Sequence, residues 1–287
     1  MKKTLIIGST GLLGKPVTQA LIKAGFEVTV LVRNEALGKK LFPEANVVEG
    51  DLRNKTDIEN AMQGQDAVYL NLSVTQTEAP SDFHAESDGL NFVIEIAKML
   101  KIKRLVYLSS LVHLYQGMNG FDWWVFRIKQ EAVRKVKESG LAYTIFYPST
   151  FMESLFYQSK QGKFMALGGK SEYPLYYIAA EDYARQVVNS FKILGDENHD
   201  FVVQGTEAFT QDEAAEFFIK HYKKEKLFAV TAPMFTMKIL GFFSQKFNYG
   251  YHIIEALNKY PERFEAQRTW DLLGKPCITL KDFAENI

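Results

Sequence analysis

The sequence predicts an α/β protein: a parallel sheet with helices on both faces, joined to a smaller, mostly helical C-terminal lobe. Three observations carry this. Short β-branched runs alternate with helix-length amphipathic segments through the first half, and parallel neighbours need such crossovers. The first run passes directly into a glycine-rich turn that opens a helix. No Pro/Ser-rich linker and no internal repeat divides the 287 residues, so the second half is expected to fold onto the first.

Taken in order, strands are expected at Leu5–Ile7, Glu27–Val32, Asn46–Val48, Ala67–Asn71, Leu105–Ser109 and Tyr143–Tyr147. Helical periodicity fills 15–24, 34–41, 57–62, 84–100 and 122–139 between them. After about residue 150 the alternation weakens. Gln161–Glu172, with Gly162, Gly168 and Gly169, reads as a loop, and helices are expected over 181–194, 211–222, 233–246 and 250–258. Thr56-x-x-Glu59, Thr210-x-x-Glu213 and Thr279-x-x-Asp282 have capping-box spacing, in which the threonine and the acid satisfy each other's backbone N–H groups.

Composition narrows the function class. Thirty-four Lys and Arg balance 34 Asp and Glu, and 47% of residues are hydrophobic, which excludes a disordered chain. Zero net charge gives no general attraction to phosphate backbones or anionic lipid, so neither a nucleic-acid nor a membrane partner is expected. The lone Cys277 cannot close an internal disulfide, and His84, His113, His199, His221 and His252 show no ligand spacing, so no metal site is expected. The start, Met1 to Ile7, imitates a secretory leader, but Gly8 ends the apolar run. Ile239–Phe243 is far short of the ~20 residues of a membrane span. A cytoplasmic protein in a reducing compartment is expected, of undefined oligomeric state.

Leu5-Ile6-Ile7-Gly8-Ser9-Thr10-Gly11-Leu12-Leu13-Gly14 is the most informative stretch. Gly8 turns the chain off the strand, Gly11 admits a pyrophosphate to the backbone, and Gly14 lets helix and strand pack closely. A strand before it and a helix after it make this a dinucleotide-binding, Rossmann-type beginning. Gly8, Thr10, Gly11, Leu12, Leu13 and Gly14 are the expected contacts. The second strand ends in Arg33, where a chain reading a ribose 2′-hydroxyl carries an acid, so NADP is favoured over NAD. Arg33 as a solvated strand-end cation is the alternative. Asp51 and Leu52 after the third strand are placed beside the adenine, with an ordinary loop aspartate as the alternative. Asn71 ending the fourth strand, Leu72 and Ser73 after it, and Ser109 ending the fifth complete the expected cleft.

In segment 122–139, Val125, Ile128, Ala132, Val133 and Val136 form one apolar stripe, and Lys129 lies inside it. An ammonium facing a core must be paired, neutralised or aimed into a polar cavity. A ribose hydroxyl or a substrate oxygen would be such a partner; a stem that snorkels to solvent is the alternative.

These motifs, together with Leu105–Ser110, Ser139–Ile145, Phe146–Glu153 and Tyr177–Ala184, resemble the atypical short-chain dehydrogenase/reductases, in the NmrA-like and isoflavone-reductase-like group. The resemblance spans most of 1–195. It implies an NADP-binding Rossmann domain over 1–155 and a substrate-binding lobe over 156–287, interleaved with the core. It places Tyr147, Pro148, Ser149, Thr150 and Phe151 near the nicotinamide. The family's usual Tyr-x-x-x-Lys is incomplete, because Val125 stands four residues before Lys129. Lys129 is then the expected catalytic group, with Tyr107, His113, Tyr115 and Tyr147 as further proton-donor candidates, for each of which a packed aromatic or loop residue is the alternative. Reduction of a small carbonyl, quinone or conjugated substrate by hydride transfer is expected. A non-catalytic NADP(H)-responsive regulator binding a protein partner is the alternative, and a sugar-nucleotide epimerase-like enzyme the third.

Overall fold

The computed structural model describes residues 1–193 and 195–287; Leu194, the last residue of the expected 181–194 helix, lies outside the described residues. The chain runs β1 (Lys3–Ile7), α1 (Gly14–Lys23), β2 (Glu27–Val32), α2 (Glu35–Leu41), β3 (Asn46–Glu49), α3 (Lys55–Met62) and β4 (Ala67–Leu70). It continues through α4 (Leu90–Met99), β5 (Arg104–Leu108), α5 (Trp124–Lys137), β6 (Tyr143–Pro148) and α6 (Met152–Ser159). Then come β7 (Lys160–Gln161), β8 (Phe164–Gly168), β9 (Leu175–Tyr177), α7 (Ala180–Ile193), β10 (His199–Val203), β11 (Glu207–Phe209), α8 (Gln211–His221) and β12 (Phe228–Ala232). Four helices finish it: α9 (Met234–Gly241), α10 (Gln245–Lys259), α11 (Gln267–Leu273) and α12 (Leu280–Asn286).

Seven strands form one parallel sheet in the order β10-β6-β5-β4-β1-β2-β3. Its strands are apolar on both faces because both are covered. One face packs Ile6, Val30, Tyr69, Val106 and Phe146 against Val17 and Leu21 of α1 and Tyr183 and Val187 of α7. The other packs Leu5, Val68, Leu105 and Ile145 against Ile58, Val93, Ala132 and Val136 of α3, α4 and α5. The strand order reverses between β1 and β4, and ligands of such sheets bind beyond the strand carboxyl ends at that point.

Several local expectations change. Thr56 does not cap α3: Asn54 does, its side chain accepting the Thr56 N–H, so the helix starts two residues earlier than the threonine spacing implied. Thr210 and Thr279 do form reciprocal capping boxes. Segment 161–172 is not a loop. Its turn at Gly162 joins β7 to β8, and β8 pairs in parallel with β12, more than sixty residues away, a partnership no local pattern encodes. The expected 233–246 helix stops at Gly241; the chain breaks at Phe242–Ser244 and α10 then runs through the expected 250–258. The 84–100 helix opens with a wider, π-type turn over Ala85–Gly89. β10 adds a seventh strand that sequence reading left within irregular chain. Among the described residues no helix is long and apolar enough to cross a membrane, and no cluster of three or more His, Cys, Asp or Glu side chains is disposed to hold a metal ion.

Candidate dinucleotide site

The glycine turn takes its shape from close packing. Gly8 has φ +84°, and a Cβ there would stand 2.2 Å from the Asn71 carbonyl oxygen; a Cβ on Gly14 would stand 2.0 Å from the Gly8 oxygen. Gly11 differs: a Cβ there would meet nothing nearer than 3.4 Å. Its missing side chain is therefore not required by the protein's own packing, which leaves ligand approach as the physical reason for a glycine. Among the described residues the N–H groups of Thr10, Leu12, Leu13 and Gly14 have no protein acceptor, although Gly11 donates to Gly8 and Lys15 to Gly11. Unpaired donors at a helix start suit a diphosphate.

Beside this turn lies a cleft of about 890 Å³, its open mouth included. Gly8, Thr10, Arg33, Asp51, Leu52, Asn71, Leu72 and Ser73 line it. So does Arg53, which the sequence reading missed. Arg33 is exposed and has no carboxylate within 4.0 Å among the described residues, whereas Arg53 sits 3.6 Å from Asp51 with its guanidinium 5.5 Å from the centre of the Phe83 ring. Asp51 takes the Arg53 N–H, and its own N–H donates to Asp57. Asn71 also braces the turn, its side-chain amide reaching the Gly8 oxygen at 3.5 Å.

Gly11, Leu12, Leu13 and Gly14 bound the turn without lining this cleft, and the residues expected at the nicotinamide end lie outside its lining too, each with a protein partner. Ser109 Oγ is 3.4 Å from His113 Nδ1. Tyr147 donates to Asp200, at the sheet's β10 edge, at 2.8 Å. The Pro148 oxygen accepts the Leu111 N–H. Ser149 donates its N–H to Val203 and its hydroxyl to Glu262. Phe151 is turned into the core, edge-on to Tyr183. Tyr115 is buried against Phe121.

Lys129 points inward from the apolar stripe of α5, as its spacing implied, and its partner is a protein group: the carboxylate of Glu86. Glu86 is fully buried, accepts the Tyr107 hydroxyl at 2.5 Å, and has a second oxygen with no partner among the described residues. The Lys129 side chain retains 13% exposure. Burial and the neighbouring carboxylate push the Tyr107 phenol well above its usual value. Burial first, then the Lys129 charge, hold His113 down to about 4, so at pH 7 it is a neutral imidazole and not an imidazolium acid. Glu262 is pushed up to about 7 by burial, against hydrogen bonds from Gln204 and Ser149 that pull the other way. Glu86 and Glu262 carry no motif, and their partners lie 43 and 113 residues away. No local signal marked Glu86, because the start of segment 84–100, His84-Ala85-Glu86-Ser87-Asp88, is polar.

A second cavity of about 720 Å³, open mouth included, lies between α6, β8, β9 and α10, lined by Thr150, Ser154, Tyr177, Gln211, Ile253 and Ile254 among others. Gln76 lines it too, while its chain neighbour Thr75 lines the glycine-turn cleft. The loop after β4 therefore borders both spaces.

Comparison with known proteins agrees with the turn. The chain is 26% identical over 270 residues to the photosystem II assembly factor Ycf39 of Cyanidium caldarium, covering 89% of this chain and 84% of that one. It is 27% identical over 217 residues to the NAD(P)H azoreductase of Xenophilus azovorans, covering 74% and 71%. Among solved structures, the NADPH-dependent quinone oxidoreductase QOR2 of Escherichia coli superposes with a TM-score of 0.71 over 98% of both chains at 18% identity, a likeness of fold. A family description, NAD(P)H-binding, matches residues 8–192, from the first glycine of the turn almost to the end of α7. The chain belongs to that NAD(P)H-binding family, where its motif resemblance had placed it.

Proposed function

We propose that this protein is an NADPH-dependent reductase of a small carbonyl, quinone or conjugated substrate. The observation that carries the proposal is the adjacency of two spaces: a cleft that holds two guanidiniums beside the unpaired donors of the glycine turn, and a partly apolar cavity bordered by the next residue of the same loop. NADPH, when bound, supplies the hydride. The N–H groups at the start of α1 bind its diphosphate. Arg33 and Arg53 take the 2′-phosphate, and Leu52 borders the adenine. The apolar walls of Ile253, Ile254 and Leu257 exclude water from the substrate. Lys129 Nζ holds the proton, positioned by Glu86, which Tyr107 orients through its hydroxyl. The names of similar proteins, an azoreductase and a quinone oxidoreductase, support this class of reaction.

A non-catalytic NADP(H)-responsive regulator is favoured by two observations. Val125 supplies no phenol, and the Lys129 ammonium is already engaged by Glu86. NADPH oxidation measured across a quinone and carbonyl panel separates the two readings. Acceptor-dependent oxidation is expected. Saturable nucleotide binding with no oxidation by any acceptor, joined to different affinities for NADPH and NADP⁺, would sink the reductase and leave the regulator.

A further inference from the structure

The neutral charge of the whole chain hides a segregated one. Residues 220–247 hold six lysines (Lys220, Lys223, Lys224, Lys226, Lys238 and Lys246) against a single acid, Glu225. Glu225 is engaged by Lys160, outside the segment, and Lys223 pairs with Glu285. Among the described residues Lys224, Lys226, Lys238 and Lys246 have no carboxylate within 4.0 Å. An excess of positive charge is thus concentrated on one stretch, while the rest of the chain is correspondingly acidic.

The same stretch exposes its largest apolar side chains. On α9, Met237 and Met234 face inward, packing at Gly168, the last residue of β8, and at Gly169 just after it. The opposite side presents Phe235, Ile239 and Leu240 at 65%, 52% and 45% exposure. At the break before α10 stand Phe242 and Phe243, 78% and 86% exposed, followed by Phe247 at 45%. Lys238 and Lys246 flank this corner in sequence. Nearby in the chain, Lys226 lies over the exposed Phe228 ring at 5.2 Å. Side chains this apolar and this exposed in one cluster mark a contact surface, since isolated exposed apolar residues are ordinary but clusters are not.

The geometry points to an anionic lipid bilayer as the occupant: we infer that the α9–α10 corner is a peripheral membrane-docking surface. Phe242 and Phe243 stand at a helix end with more than three quarters of each side chain in solvent, so they protrude as knobs from this surface. An occupant that accepts protruding rings, is apolar below its surface and is negatively charged at it matches both features together. A short, largely apolar helix that ends in protruding phenylalanines, with lysines beside it in sequence, can seat its rings below the headgroups in this way, and each lysine near an anionic surface adds attraction. The neutral total charge argued against a general attraction to lipid; a local one is compatible with it.

The test is co-sedimentation of the full chain with vesicles of phosphatidylcholine alone and of an equal mixture of phosphatidylcholine and phosphatidylglycerol, at low and high salt. Binding to the mixed vesicles, weak binding to phosphatidylcholine, and release by salt are expected. Phe242→Ser/Phe243→Ser should weaken binding by about tenfold or more, given the apolar area of two rings, and Lys238→Glu/Lys246→Glu should weaken it on mixed vesicles only. Both pairs of positions are exposed and outside the nucleotide cleft, so an unchanged circular dichroism spectrum and unchanged nucleotide binding verify folding. No binding to mixed vesicles, or wild-type binding by the phenylalanine variant, overturns the inference. So does sedimentation velocity showing a dimer that the phenylalanine variant converts to monomer, because the occupant is then a second copy of this chain.

Discussion

Removing the ammonium of Lys129 leaves the fully buried Glu86 carboxylate with only the Tyr107 hydroxyl, and orphaning one half of a buried pair costs about 3–5 kcal/mol. Lys129→Met is therefore expected to lose stability of that order in urea unfolding, and Lys129→Met/Glu86→Gln to recover more than half of it. The double variant is the one in which to measure NADPH oxidation; turnover equal to wild type would remove Lys129 from the chemistry. Arg33 allows a cleaner experiment because it is exposed and has no carboxylate partner among the described residues. Arg33→Asp should weaken NADPH at least about tenfold more than NADH, the scale of a lost charge-assisted hydrogen bond. Equal loss for both would show that Arg33 does not read a 2′-phosphate. At this scale the sequence told half of the story. Lys129 was legible because a cation on an apolar stripe violates the periodicity, whereas its partner depends on how α5 meets the turn that begins α4, which one sequence does not state.

Among the elements, the glycine turn separates packing from binding. Gly14→Ala would force a Cβ into the Gly8 carbonyl, and overpacking of that kind costs about 1–3 kcal/mol. Its melting temperature should fall and its nucleotide affinity with it. Gly11→Ala has room for its methyl, so it should melt like wild type while binding NADPH more weakly; wild-type affinity there would show that no phosphate approaches Gly11. The β1–α1 turn could be read in sequence because strand, glycines and helix are contiguous. β8 and β12 could not, because each pairs with a strand distant in sequence and Gly162, Gly168 and Gly169 resemble loop punctuation. Asn54 displaced Thr56 as the α3 cap because two neighbouring polar residues compete for the same orphan donors, and the earlier one won.

Over the whole molecule, the last third of the chain returns to the sheet. β10 extends it beside β6, α7 covers it beside α1, and α11 packs on α7. Glu262 sits where this returning chain meets the end of β6, through Ser149 and Gln204. Its carboxyl binds a proton more tightly in the fold than in the unfolded chain, so its contribution to stability is full below the ordinary 4.5 and is lost as pH rises toward about 7. Thermal stability should decline across that window in wild type and decline less in Glu262→Gln; parallel curves would contradict a buried, proton-holding carboxyl. The sheet and its nucleotide end followed from local patterns, but the joining of the two halves rests on such long-range contacts. Calorimetric titration of NADPH into the purified chain tests the dinucleotide site most directly. Saturation at one equivalent, with clearly weaker binding of NADH, is expected. No saturable heat from either nucleotide, with the protein folded by circular dichroism, would contradict it.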